Sequence, residues 1–109
     1  MISGIELTDG TTTITLPPPN LRITDEMEPE RVALLAMDQK DPAAVSAAFL
    51  SMARKLLLMC ARRNHPDLTK AQLDDFLPPS AVLPLYTWAL NKAGLKMLPL
   101  ELRGETPSG

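Results

Sequence analysis

Apolar and polar side chains alternate through residues 5–16, IELTDGTTTITL, on either side of Asp9 and Gly10. Alternation with a period of two predicts two short strands, and the Asp-Gly pair predicts a two-residue hairpin turn between them. That turn sets Leu7 opposite Thr12 and Ile5 opposite Ile14. It gathers Ile5, Leu7, Ile14 and Leu16 on one face and leaves a Thr-rich outer face with two unpaired edges. A two-stranded hairpin is marginal in water. The pattern therefore predicts packing on helices, extension of a sheet in a neighbouring subunit, or an arm that orders only on assembly. Pro17, Pro18 and Pro19 cannot continue a ladder, and predict a stiff extended spacer.

The rest of the chain has helical periodicity. The first helix is expected to start near Asp25 or Glu28, with Pro29 in its first turn and acidic residues at the positive end of the helix dipole, and to run to about Gln39. Val32, Leu35 and Ala36 form its apolar face, flanked by Leu34 and Met37. Asp41 followed by Pro42 repeats the start signal. A second helix then spans residues 42–63, about 33 Å long. Val45, Ala48, Phe49, Met52, Leu56, Met59 and Cys60 form one stripe on it. Ala43, Ala47, Leu50, Leu58 and Ala61 form a second apolar surface, interrupted by Arg54. A helix apolar on two sides is either central in its bundle or covered by another chain. Leu50, Leu57 and Leu58 are accordingly the candidate partner-binding residues.

Asn64, His65 and Pro66 end that helix, and Arg62 and Arg63 suit its negative end. Thr69 and Gln72 form a capping box for a short helix ending near Leu77. Pro78 and Pro79 stop it. Ser80 is a candidate cap for a last helix with the face Val82, Leu85, Tyr86, Ala89, Leu90 and Ala93. Pro84 lies in its first turn and Gly94 at its C-terminal stop. Trp88 lies off that face, near Leu95 on the helical wheel, and joins the partner-binding candidates. The fold class expected is mainly α: a small bundle of about four helices with an N-terminal β-hairpin or extended arm. Residues 1–19 form the arm and spacer, 20–98 the helical domain, and 99–109 a disordered tail.

Charge and chemistry narrow the functions that such a bundle can have. The chain has 109 residues and a formal net charge of −2, which gives no global attraction to nucleic-acid phosphate. Cys60 is the only cysteine; within LLLMCA it reads as a small buried hydrophobe of a reducing compartment. With one histidine and one cysteine, neither a zinc cluster nor a Cys-His nucleophile pair is expected. The adjacent Asp74 and Asp75 read as a solvated surface. No catalytic, cofactor-binding or metal-binding residues are assigned, and a non-enzymatic protein is expected. The start MISGIELTDG lacks the pattern of a signal peptide, and no stretch is expected to span a membrane. Together these predict a cytoplasmic protein.

Two resemblances bear on function. His65, Pro66 and Asp67 after a basic helix end resemble the signature loop of J-domain co-chaperones. In that family, however, a long helix follows the tripeptide and packs antiparallel on the one before, whereas here Pro78 and Pro79 intervene after about two turns. Over a larger span, DPAAVSAAFLSMARKLLLMCARRNHPDLTKAQLDDFLPPSAVLPL resembles the small tail assembly chaperones of long-tailed bacteriophages. Arg62, Arg63, Asn64, His65, Pro66, Asp67, Leu68 and Thr69 carry the family motif. Leu73, Asp74, Asp75 and Leu77 carry its acidic helix, and the strand and prolines of residues 11–19 also fit.

The resemblance implies a non-enzymatic protein of the host cytoplasm, absent from the finished virion and without a cofactor, and the surplus apolar surface of so small a chain adds the expectation of self-association. Such a protein would bind the tape measure protein and help recruit tail tube subunits during virion assembly, without contact to nucleic acid or membrane. The alternative is a structural head-to-tail connector or minor tail protein. In either role, hydrogen bonds from His65 or Asp67 are expected to organise the turn.

Overall fold

The computed structural model describes residues 2–94; the expectations for residues 95–98 and for the 99–109 tail lie outside them. The protein is mainly helical, with a two-stranded antiparallel hairpin followed by four helices. Strands β1 (Ile5–Thr8) and β2 (Thr13–Leu16) pair Ile5 with Leu16, Glu6 with Thr15, Leu7 with Ile14 and Thr8 with Thr13. The expected partners are thus displaced by two residues, because the loop has four residues rather than two. Asp9 Oδ1 accepts from the amides of Thr11 at 2.8 Å and Thr12 at 2.7 Å, and Gly10 adopts a φ of 95°. An aspartate that caps the two residues beyond it makes a longer loop self-sufficient. A displacement by an even number leaves every side chain on its predicted face, so Ile14 and Leu16 are buried while Ile5 and Leu7 are half-buried.

The three prolines do not hang free as a spacer. Pro17 and Pro19 are buried, and the Pro18 carbonyl accepts a 2.6 Å bond from Arg63 Nη1. Helix α1 then runs over Leu21–Leu35, earlier at both ends than expected, with the Asn20 side chain capping the amide of Ile23 at 2.9 Å. Its first turn has no acidic residue, and Pro29 lies in its interior on the solvent side. There the missing N–H removes one rung, where the freed carbonyl can meet water. The earlier start changes the buried face. Ile23 and Met27 are buried and Leu34 and Met37 half-buried, whereas Val32 is 51% and Leu35 55% exposed. The expected face of Val32, Leu35 and Ala36 is the outer one.

Helix α2 (Pro42–Ala61) starts as predicted, with Asp41 capping Ala44 and Pro42 in the first turn. It is the centre of the molecule: α1, α4, β2 and the short helix α3 (Lys70–Asp74) all pack on it. Its length and composition would suffice to cross a membrane, contrary to the expectation that no stretch approaches such a span. Its middle, however, carries Arg54, paired with Asp74 of α3 at 2.9 Å, and Lys55, paired with Glu30 of α1. Those pairs are what a core helix with one wet side would make. The predicted capping box of α3 is present, with Thr69 Oγ1 and the Gln72 amide 3.1 Å apart and Gln72 Oε1 and the Thr69 amide 2.9 Å apart. Ser80 does not cap the last helix. A 3-10 turn over Pro79–Ala81 leads directly into α4 (Val82–Lys92), without a side-chain cap. All of Val82, Leu85, Tyr86, Ala89 and Leu90 are buried as the stripe predicts, and Phe49 meets the Tyr86 ring edge-on at 5.4 Å.

Candidate functional site

The motif loop is built by the end of α2. The Ala61 carbonyl accepts from the amides of Asn64 at 3.1 Å and His65 at 3.0 Å, and the His65 carbonyl accepts from the Leu68 amide at 3.0 Å. Three consecutive side chains then reach into three different segments. Arg62 Nε donates to the Leu68 carbonyl at 2.8 Å, and Arg63 Nη1 to the Pro18 carbonyl. Asn64 Oδ1 accepts from the Ile2 amide at 2.8 Å, while its Nδ2 donates to the carbonyls of Ile2 at 2.8 Å and Thr15 at 3.3 Å. The arginines, expected to act on the α2 dipole, thus bind carbonyls of neighbouring segments.

The expected role of His65 and Asp67 is also corrected. Among the described residues neither side chain hydrogen-bonds the turn, and His65 Nε2 is buried without a partner. Pro66 and Asp67 are exposed. Arg62 and the backbone fix the turn instead. Nothing in the sequence near Asn64 indicates that its partner lies sixty-two positions away. The only local signal is an amide side chain, both donor and acceptor, placed just past a helix end.

A second feature lies between α2, α3 and the start of α4. Leu50, Leu77, Pro79 and Val82 line a groove of about 340 Å³ together with Arg54 and Asp74. Lys70 Nζ also approaches Asp74 Oδ2, at 3.2 Å. Partial burial pushes the Asp74 carboxyl up, but hydrogen bonds from Lys70 and Arg54 outweigh it and hold the group below its ordinary value. The carboxylate read as merely solvated is therefore a junction for two cations. The groove combines four apolar lining residues with a charged pair.

Of the four partner-binding candidates, only Leu50 lies in this groove, at 40% exposure. Leu58 and Trp88 are half-buried against the core. Leu57 is 0% exposed, so it belongs to the interior of its own subunit rather than to a contact surface. Its position between the two stripes on the helical wheel leaves it ambiguous in sequence, and in the fold it joins the buried core cluster. Burial pushes the Cys60 thiol up to about 12, against a smaller opposing effect of Arg63, so it is a protonated core side chain. Among the described residues, no group of three or more His, Cys, Asp or Glu side chains is placed to hold a metal ion. Comparison of the chain with protein-family models, with curated proteins and with solved structures gives no match.

Proposed function

We propose that the protein is a non-enzymatic tail assembly chaperone of a long-tailed bacteriophage. It acts in the host cytoplasm, holds a helical segment of the tape measure protein and helps recruit tail tube subunits. The observation that carries this reading is the groove beside Leu50. A long helical partner presents apolar side chains at i, i+3, i+4 and i+7, and an apolar groove that also carries charges suits such a face. Leu50, Leu77, Pro79 and Val82 supply the apolar lining, and Arg54 and Asp74 the charges, with Lys70 paired to Asp74. The resemblance of residues 41–85 to the chaperone family supports the tape measure protein as that partner. The J-domain reading receives no support from the helix after His65, Pro66 and Asp67, since α3 has five residues and cannot form a long antiparallel hairpin with α2.

Calorimetric titration of the protein with purified helical segments of the tape measure protein tests the proposal. The wild type is expected to bind, and Leu50→Asp to weaken binding at least ~30-fold, the effect of losing a central apolar anchor. No binding by the wild type, or equal binding by both, would refute it. Recovery of the protein from purified virions would favour the structural alternative.

A further inference from the structure

The hairpin is attached to the helices unevenly. β2 lies on α2, whereas the β1 backbone runs beside β2 and away from the helices, and only its half-buried Ile5 and Leu7 side chains pack against the core. The side chains agree, since Ile14 and Leu16 of β2 are buried and Ile5 and Leu7 of β1 are only half-buried. What ties the outer strand to the bundle is Asn64. Its side-chain amide accepts from the amide and donates to the carbonyl of Ile2, as a residue of an adjoining strand would, and its second N–H reaches the Thr15 carbonyl. All the contacts of that amide are to backbone, and the Ile2 side chain is itself exposed. Between the tie and the strand, Gly4 passes so close to β2 that a Cβ there would lie 1.9 Å from the Leu16 carbonyl oxygen.

We propose that residues 2–8 form a releasable strap, latched by Asn64, that opens while the helical bundle stays folded and leaves the edge of Thr13–Leu16 unpaired. The apolar surface that opposes the opening of β1 is that of two half-buried side chains, Ile5 and Leu7, with none fully buried. β2 is retained by its buried side chains, by the buried Pro17 and Pro19, and by the Arg63 bond to Pro18. Units held by few buried contacts open at lower free energy than the core to which they are attached. The motif asparagine thereby sets how often the strap opens, a role separate from the Leu50 groove.

Amide hydrogen exchange on the full chain tests this. In the wild type the β1 amides bonded to β2 are expected to exchange at least ~100-fold faster than those around Leu57 in α2, as a separately opening unit does. Asn64→Ala should speed β1 exchange about tenfold further, through loss of its hydrogen bonds, and leave α2 amides unchanged. Gly4→Ala should reach the same end by forcing the strand away from Leu16. A common exchange rate for β1 and α2 in the wild type would overturn the proposal. So would loss of the whole fold in both variants, or unchanged β1 protection in Asn64→Ala.

Discussion

The two halves of α2 are both predominantly apolar in sequence, seven residues of nine over 42–50 and eight of eleven over 51–61, and differ in what covers them. From Pro42 to Leu50 no residue is buried, whereas from Ser51 to Ala61 six are: Met52, Ala53, Leu56, Leu57, Cys60 and Ala61. The first half has α1 on one side and the Phe49–Tyr86 contact on another, and Ala43, Ala47 and Leu50 remain exposed. Near the second half lie β2, the proline segment and α3, drawn in by Arg63, Asn64 and Arg54. Apolar sequence therefore has two outcomes along one helix: one half organises the fold, and the other leaves apolar surface exposed.

The largest effect expected from this contrast is on stability. Leu57→Ala should destabilise the protein by about 2–5 kcal/mol, the range for a leucine deleted from a packed core. Leu50→Ala should cost less than about 1 kcal/mol, because much of its surface is already in water. Chemical denaturation of the two variants measures both, and similar losses would erase the distinction between the halves. Cys60 sharpens the same comparison: its buried, protonated thiol should react with a thiol reagent only as fast as the core opens. Rapid labelling of the native protein would mean that the second half is less well covered than described.

Smaller effects are expected at the junctions. His65→Leu should change stability by no more than about 0.5 kcal/mol, or raise it, because Nε2 is buried with no bond to lose. A large loss would mean that the imidazole has a role that the geometry lacks. Arg54→Ala should cost about 0–1 kcal/mol, as exposed ion pairs do. The Asp74 carboxyl is held below its ordinary value of 3.8, the outcome of burial outweighed by Lys70 and Arg54. Asp9 is lowered by the Thr12 and Thr11 amides. Depressed carboxyls stabilise the fold above the unfolded value, and that contribution is lost as pH falls through and below 3.8. Acid titration of Asp74→Asn should accordingly lose part of the wild-type drop in stability in that window.

Where the sequence could be read correctly, a local pattern and the tertiary packing agree. α2 and α4 have clean caps or stripes, and the Thr69–Gln72 box needs only four residues to be recognised. The hairpin faces survived an error in loop length because side chains alternate with a period of two. Pro29 mimics a helix start and so places α1 too late in the sequence, while the real cap, Asn20, follows three prolines that mask it. Its buried face then turned from Val32 and Leu35 to Ile23 and Met27. In the candidate site, Leu50 is legible from the wheel. Asn64 is not, since its partners Ile2 and Thr15 are distant in the chain, and the burial of Leu57 depends on tertiary packing around α2 that the wheel does not contain.

The division of α2 is tested most directly by mapping chemical-shift changes in the isotopically labelled protein as a helical tape measure segment is added. The predicted result is a patch centred on Leu50, Arg54, Leu77 and Val82, with the amides of Asn64, His65 and Leu57 undisturbed. A patch centred on His65, Pro66 and Asp67, or one spread through the second half of α2, would contradict it.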